Sequence, residues 1–344
     1  MKGSGAMDPS YYRRSVISFQ TRDSQMKHIF SLCLSAFFCW AQSPPVPPSA
    51  EEAERLTTLI RGSRKLPLQA SPLAIQAKAA EWNTDYISSV AAGPTGETYL
   101  LHRNLGEDAV VVIDGQGKIL RSWGKGMFTN PHSVRLDPEG NVWTVDSGSS
   151  VVLKFSPQGK VLLRIEVGDL PEGRRGTRGT ADIAFGPDGR VFIADGYGNA
   201  RVLEYDAAGK RVKQWGTAGT GPGQFNLPHG IALRDGVIYV ADRQNGRIQR
   251  FDLDGKYLGE WTHLGKTFSI TTGPDGNLWI GTHPRNVINE APGWLVNVDR
   301  KSGKVIGYVE SPGLHSLDAV RNGEVLSDPG RGNLNRVLWH RRTR

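Results

Sequence analysis

The sequence predicts an all-β fold, a six-bladed β-propeller whose last blade is closed by an N-terminal segment. Segments of similar sequence recur along the chain at about the 40 to 50 residues that one propeller blade occupies. Each segment begins with a short strand, a turn of the Pro-Asp-Gly type and a second strand. The chain is also rich in turn residues, with 42 glycines and 20 prolines among 344 residues. These three observations are typical of a turn-rich repeat protein made of strands.

The repeating unit contains four strands. First strands start near residues 86, 131, 179, 228, 267 and 314. Third strands are predicted after a polar loop, at Ser150 to Phe155, Arg201 to Tyr205 and Arg247 to Phe251. Gly-Lys hairpins then lead into fourth strands that end near Trp123, Trp215 and Trp261. Four antiparallel strands in each of six units make six blades.

The last unit has only three evident strands before the chain reaches Leu338 to Arg342. We predict that a segment within Lys65 to Thr84 supplies the missing outer strand. Such closure would bury sheet edges that an open array leaves unpaired. An open array, or a different number of blades, is the alternative.

The N-terminal part carries the pattern of an export signal. A basic start at Met26 precedes an apolar run from Ile29 to Trp40, and Ala41-Gln42 offers a cleavage point. This run is too short for a comfortable membrane span and predicts a secretory signal peptide. We therefore expect a secreted or periplasmic protein that has no membrane contact after the signal is removed.

These patterns divide the chain into four segments. Residues 1–25 are interpreted as an upstream extension or a vector remnant, 26–42 as the signal peptide, 43–84 as a linker with the closing segment, and 85–342 as the propeller.

Composition excludes some classes of function. Both cysteines, Cys33 and Cys39, lie in the apolar run, so the mature protein would have no disulfides. The net charge of +8 is spread along the chain. Because no dense basic and aromatic platform is present, nucleic acid is not expected as a partner.

Three histidines occupy the same position in the repeat. His132, His229 and His315 each lie at the start of a first strand, 97 and 86 residues apart, which corresponds to every second blade. In a six-bladed ring their side chains would converge on the central axis, the three-ligand geometry of a catalytic zinc site. The alternative for each is a turn-capping or core side chain. The other histidines of the propeller do not share this register and are interpreted as ordinary: His102, His263, His283 and His340.

The loops after the second strands should open at the same end of the ring as these histidines. Those loops carry Tyr197 in blade 3, Arg243 in blade 4 and Arg103 in blade 1. A tyrosine can act as a base near neutral pH only if its pKa falls well below about 10, which a nearby cation would cause. An arginine offers two donors to a substrate carboxylate. The alternative is that all three are surface loop residues.

Several motifs resemble a known family. They are Asn130-Pro131-His132, the segment from Ala194 to Arg201, the segment from Gly221 to His229, and the segment from Ala241 to Gln249. These resemble NHL-repeat six-bladed propellers and, more closely, the catalytic core of the peptidyl-α-hydroxyglycine α-amidating lyases. The likeness covers about Tyr99 to Trp339 and is strongest in blades 3 and 4.

The resemblance implies a function for the residues singled out above. The three zinc ligands of the family would fall on His132, His229 and His315, and its active-site tyrosine on Tyr197. Its two active-site arginines would match Arg103 and Arg243. The implied reaction converts a C-terminal α-hydroxyglycine into a peptide amide and glyoxylate. The zinc would bind the α-hydroxyl, the tyrosine, made acidic by the metal and Arg103, would take its proton, and Arg243 would bind the carboxylate.

The sequence departs from the family pattern in three ways. Cysteine pairs of the animal enzymes are missing where Gly198 and Val240 stand. The family also has a structural calcium, one of whose ligands is an Asp directly after the third zinc histidine. Ser316 occupies that position here, with Asp318 two residues on, so calcium is an open expectation. Finally, the chain contains no copper monooxygenase half that would make the hydroxyglycine substrate.

Two other function classes stay open. One is a non-enzymatic propeller that binds a protein or glycan with one face. The other is a propeller hydrolase that uses calcium, although such sites favour oxygen ligands over imidazole. For the lyase we expect a monomer that acts on a small molecule or peptide with a C-terminal carboxylate.

Overall fold

The computed structural model describes residues 48–76, 87–168, 179–284, 293–312, 314–320, 323–328 and 337–343. Within them the chain forms six blades arranged in a ring. The predicted six-bladed β-propeller is confirmed. The predicted segments 1–25 and 26–42 lie outside the described residues, and the predicted domain boundaries stay predictions.

An N-terminal helix and two short strands precede the blades: α1 (Ala50–Arg61), β1 (Arg64–Lys65) and β2 (Leu68–Pro72). Blade 1 contains β3 (Ile87–Ala92), β4 (Thr98–His102), β5 (Val110–Ile113) and β6 (Ile119–Trp123). Blade 2 contains β7 (Pro131–Leu136), β8 (Val142–Asp146), β9 (Val151–Phe155) and β10 (Val161–Glu166). Blade 3 contains β11 (Thr180–Phe185), a 3-10 turn (Pro187–Gly189), β12 (Val191–Asp195), β13 (Arg201–Tyr205) and β14 (Arg211–Trp215).

A small parallel pair follows blade 3: β15 (Thr217–Ala218) and β16 (Gln224–Phe225). Blade 4 contains β17 (Pro228–Arg234), β18 (Val237–Asp242), β19 (Arg247–Phe251) and β20 (Tyr257–Trp261). Blade 5 contains β21 (Lys266–Thr272), β22 (Leu278–His283), β23 (Trp294–Val298) and β24 (Val305–Glu310). Blade 6 contains β25 (Ser316–Ala319), β26 (Val325–Asp328) and β27 (Leu338–Arg342). These starts and ends agree with the predicted first and fourth strands.

The N-terminal segment closes the ring. Strand β2 pairs antiparallel with β27, with Leu68 opposite Arg342 and Pro72 opposite Leu338. This confirms the prediction of an outer strand from that part of the chain. The strand β1 adds to the edge of blade 5, where it pairs parallel with β24. Both contacts cover strand edges that would otherwise be open to pairing with another chain.

The repeated tryptophans and glycines are explained by the packing of neighbouring blades. The Trp123 ring lies over Gly159 in the hairpin of the next blade, where a Cβ atom would come within 2.7 Å of it. Trp215 covers Gly255 in the same way, at 2.8 Å. Both glycines have positive φ and no side chain, so the hairpin turns sharply beneath the indole ring.

The helix α1 packs against blade 5. Ser49 caps its N-terminus, where its side chain accepts from the backbone N–H of Glu52 and the Glu52 carboxylate accepts from the backbone N–H of Ser49. Leu56 and Ile60 lie one turn apart on the buried face and join the core that contains blade 5. Among the described residues, no helix is both long and apolar enough to cross a bilayer.

Candidate metal centre and active site

Two of the three histidines of the repeat lie at a bulge in the innermost strand of their blades. In β7 and β17 the pairing with the second strand skips one residue, and the skipped residues are His132 and His229. A bulged residue turns its side chain away from the regular alternation of the strand, which directs these two imidazoles toward the axis of the ring. The third histidine, His315, directly precedes β25.

The other three blades supply the hydrogen bonds that orient the imidazoles. His132 Nδ1 donates to the carbonyl of Ala181 at 2.6 Å, and His229 Nδ1 donates to the carbonyl of Phe268 at 2.5 Å. His315 Nδ1 donates to the carbonyl of Ser88 at 3.0 Å. Because a carbonyl oxygen can only accept, Nδ1 carries the proton and the neutral ring keeps its lone pair on Nε2.

The three imidazoles converge. Their ligand atoms all lie within 4.8 Å of one another, and the ring centroids are 4.8 to 5.2 Å apart. All three side chains are buried. Among the residues that the structure describes, this is the one cluster of histidine, cysteine and carboxylate groups able to hold a metal ion.

The surroundings keep all three rings neutral. Burial, followed by the charges of neighbouring groups, lowers the pKa of His132 and His229 well below the usual 6.5. Burial and the guanidinium groups of Arg103 and Arg243 lower the pKa of His315 to about 3. Neutral imidazole is the form that binds a transition metal ion.

The donor set fits a cation. The hydroxyl of Tyr197 lies 2.8 Å from Nε2 of both His132 and His229. A phenol has one proton and can donate to only one of these two nitrogens. With the Nδ1 protons committed to carbonyls, the other Nε2 lone pairs meet at a buried site without a proton. Unsatisfied polar atoms of this kind are costly, and a metal ion would satisfy them together.

The loop that carries Tyr197 is held by the aspartate that ends strand β12. The Asp195 carboxylate accepts from the Asn199 side chain and from Arg201 Nε, both at 2.8 Å. Gly196 lies so close to the next blade that a Cβ atom there would come within 2.0 Å of the Pro228 carbonyl oxygen. The absence of a side chain at this residue allows Tyr197 to reach the neighbouring histidine.

Replacing Gly196 by alanine is therefore expected to displace the Tyr197 loop. The clash is with backbone, so relief requires movement of the loop or of β17, at a cost of about 1–3 kcal/mol in unfolding free energy. The melting temperature should decrease, and so should any turnover that depends on Tyr197. The matched control is Gly115→Ala, because a Cβ atom at Gly115 meets nothing within 4 Å. Equal stability and turnover for the two variants would show that Gly196 has no such role.

Arg243 lies near the same tyrosine. Its loop is held by Asp242, whose carboxylate accepts from Asn226 N at 2.7 Å and from Arg247 Nε at 2.8 Å. Tyr197 acts to raise the pKa of the Arg243 guanidinium, against the larger effect of burial, and the guanidinium lies 4.2 Å from the centroid of the Phe268 ring. Its buried Nε has no acceptor among the described residues. Arg243 thus places a positive charge near the tyrosine, and its Nε–H can still donate a hydrogen bond to a ligand.

Arg103 lies on the opposite side of the histidines, in blade 1. Its Nε donates to the carbonyl of Pro131 at 3.1 Å. After burial, the charge of Arg103 has the largest effect in lowering the pKa of His315, and it also lowers that of His132. The site is therefore bordered by two guanidinium groups, which favours an anionic ligand.

Polar side chains fill the channel beyond the histidines. Arg135 pairs with Asp182 at 2.9 Å, and Ser316 Oγ lies 2.9 Å from Ser89 Oγ. Asp318 accepts from the backbone N–H of Ala92 at 2.8 Å, and burial raises the pKa of its carboxyl group. Calcium at this place stays a prediction.

The sequence patterns did not identify Phe268 as a residue of the site, nor the backbone carbonyl groups of blades 1, 3 and 5 that orient the histidines. Phe268 occupies the histidine register in blade 5, so the aligned repeats already marked its position. Its two contacts, through the carbonyl to His229 and through the ring to Arg243, depend on how blades 4 and 5 pack. The aspartates that hold the loops could have been identified from the sequence, because Asp195 and Asp242 each precede an Asn and an Arg at similar spacing.

Comparison with known proteins agrees with this geometry. A family model described as a 6-bladed beta-propeller matches residues 183–312. The peptidyl-glycine alpha-amidating monooxygenase of Mus musculus is 39% identical over 166 residues, which are 44% of this chain and 16% of the mouse protein. The peptidyl-alpha-hydroxyglycine alpha-amidating lyase 1 of Drosophila melanogaster is 31% identical over 226 residues, which are 57% of this chain and 41% of the fly protein.

The chain is a propeller that resembles the amidating lyases. This confirms the resemblance predicted from the sequence motifs. The matched part spans well under half of the length of each of these relatives. Among solved structures, a streptogramin B lyase superposes with a TM-score of 0.54 at 16% identity, covering 80% of this chain and 88% of that chain. That likeness shows the fold alone.

Proposed function

We propose that this protein is a secreted, zinc-dependent lyase. It would cleave the C–N bond of a C-terminal peptidyl-α-hydroxyglycine, or of a similar carbinolamide, to release an amide and glyoxylate. The observation that carries this proposal is the contact of Tyr197 with two of three converging, neutral histidines, beside the guanidinium of Arg243. The name of the similar fly protein, a peptidyl-alpha-hydroxyglycine alpha-amidating lyase, supports the same reaction.

The residues that would hold the metal are His132, His229 and His315. Three imidazole ligands suit zinc and leave a coordination position for the substrate. When bound, a divalent zinc ion would lower the pKa of a hydroxyl group that it coordinates. The carbonyl groups that receive the three Nδ1 protons would keep the rings aimed at the ion.

Tyr197 would be the general base. Its hydroxyl oxygen lies 2.8 Å from two imidazole nitrogens, and the positive charges of a bound metal ion and of Arg243 beside it would favour the phenolate. The phenolate would take the proton of the substrate hydroxyl while the C–O bond becomes a carbonyl. The C–N electron pair would pass to the amide nitrogen, which gains a proton. Tyr197, which now carries the proton from the substrate hydroxyl, would donate it to this nitrogen and so return to the phenolate.

The carboxylate of the substrate would lie between Arg103 and Arg243. Both guanidinium groups lower the pKa of His315 and of His229, so both charges act on the histidine cluster. Arg243 also has a buried Nε with donor capacity. Because Tyr197 acts on the pKa of Arg243, we assign part of the stabilisation of the phenolate to Arg243, beside that of Arg103.

The test pairs metal analysis with a substrate assay. Purified mature protein should contain about one zinc per chain and release glyoxylate from an N-acylated α-hydroxyglycine. Zinc without glyoxylate release would retain the metal site and contradict this substrate class. Absence of zinc after reconstitution would leave a non-enzymatic binding propeller as the better account.

Secretion and the monomeric state are part of the proposal. Export would remove the segment that ends near residue 42, so the mature N-terminus should begin shortly after it. Intact mass of protein recovered from outside the cytoplasm, with light scattering for the oligomeric state, tests both statements.

A further inference from the structure

A cavity of about 760 Å³ lies beside Arg243, between α1 and the loops of blades 4 and 5. Gln244, the next residue in the chain, lines it. Lys266 at the start of β21 lines it too, and its Nζ lies 3.5 Å from Gln244 Oε1. The loop after β18 and the start of β21 are both at the end of the ring where the histidines lie. The cavity therefore lies at the end of the ring that carries the candidate site.

Direct contacts connect this cavity with the metal centre. Phe268, two residues after Lys266, accepts from His229 through its carbonyl and faces Arg243 with its ring. Lys266 is buried, and after burial the charge of Arg243 lowers the pKa of its ammonium group. The cavity and the metal centre therefore share the loop that carries Arg243 and Gln244 and the strand that carries Lys266 and Phe268.

The lining combines apolar and amide groups with the charged side chains of Glu52, Arg55 and Lys266. Leu56 and Leu59 of α1 face the cavity with two prolines, and the Leu59 side chain is 39% exposed. Gln244 and Asn245 contribute side-chain amides from blade 4. The volume is within the range of sites that enclose a small organic ligand. A hydroxyl and a carboxylate alone would need much less space.

We propose that this cavity binds the N-acyl part of the substrate, an apolar group joined to the reacting carbon through an amide. Leu59 then helps to select the substrate, although α1 lies outside the six blades. This inference rests on the proposed function for the position of the reacting carbon. The apolar chain packs on the exposed leucine, because burial of each CH₂ group contributes about 0.8 kcal/mol.

The test compares N-octanoyl-α-hydroxyglycine with N-acetyl-α-hydroxyglycine. In the unaltered protein the KM for the octanoyl substrate should be about tenfold lower, which corresponds to 1.4 kcal/mol, since part of the chain stays in water. Leu59→Glu should remove most of this difference and leave kcat for the acetyl substrate unchanged. The matched control is Leu120→Glu, because Leu120 is a similarly exposed leucine on the outer strand of blade 1, and this variant should behave like the unaltered protein.

Equal KM values for the two substrates, or an unchanged octanoyl KM in Leu59→Glu, would overturn the subsite while glyoxylate release still supports the proposed function. If neither substrate releases glyoxylate, the proposed function fails, and calorimetry with N-octanoylglycine and N-acetylglycine decides the subsite alone. Tighter binding of the octanoyl compound that Leu59→Glu abolishes supports it. Equal binding of the two compounds overturns it.

Discussion

Replacing His229 by alanine is expected to remove the bound metal and abolish turnover while the propeller stays folded. His229 supplies one of three converging Nε2 atoms, and its Nδ1 is held by the Phe268 carbonyl. Loss of a group that only orients a ligand already costs 10–100-fold in metal affinity, so loss of the ligand should cost more than roughly 100-fold. Elemental analysis after dialysis measures this effect directly.

The fold should survive because the blades, and not the ion, make the core. We expect the unfolding free energy of His229→Ala to fall by about 1–3 kcal/mol, with a circular dichroism spectrum like that of the unaltered protein. His340→Ala is the matched control, since His340 is also fully buried but lies outside the cluster. It should lose stability and keep its metal. One zinc per chain retained by His229→Ala would contradict the ligand assignment.

Tyr197→Phe is expected to keep the metal and lose turnover. The change removes only the hydroxyl that contacts His132 and His229, and leaves the aromatic ring in place. A general base contributes typically 10²–10⁴-fold, so kcat for glyoxylate release should fall by about that factor. KM should change much less, because the carboxylate contacts are assigned to the arginines.

The control for this variant is Tyr257→Phe, which removes a hydroxyl that donates to Glu260 in the outer part of blade 4. Its kcat should be unchanged. Turnover of Tyr197→Phe at the level of the unaltered protein would exclude Tyr197 as the base. A loss of zinc in this variant would instead assign the tyrosine to the metal site.

Much of the fold could be predicted from the sequence because its signals are local. Turns such as Pro187-Asp188-Gly189 place a residue with positive φ where the strand must reverse, and such turns recur in successive units. The missing outer strand of blade 6 was also predictable, because an unpaired edge requires cover. Strand β1 was not predicted, since two residues carry no periodic pattern of their own.

The candidate site could be predicted in its residues and only partly in its contacts. The repeat register singled out the three histidines, and antiparallel connectivity brought Tyr197 and Arg243 to the same end of the ring. The sequence does not say which arginine reaches the tyrosine, because that depends on side-chain length and on how the loops of blades 3 and 4 pack. The family resemblance assigned that role to Arg103, which stays a prediction, and Tyr197 also acts on the pKa of Arg243.

The sequence by itself determined the number of blades and the register of the histidines, because turn chemistry and repeat spacing act within about 50 residues of chain. Only the tertiary structure decided that each histidine is oriented by a carbonyl of the following blade, across separations of 39 to 227 residues. It likewise decided that α1 borders the cavity beside Arg243. Such contacts arise only when the ring closes, and no local pattern records them.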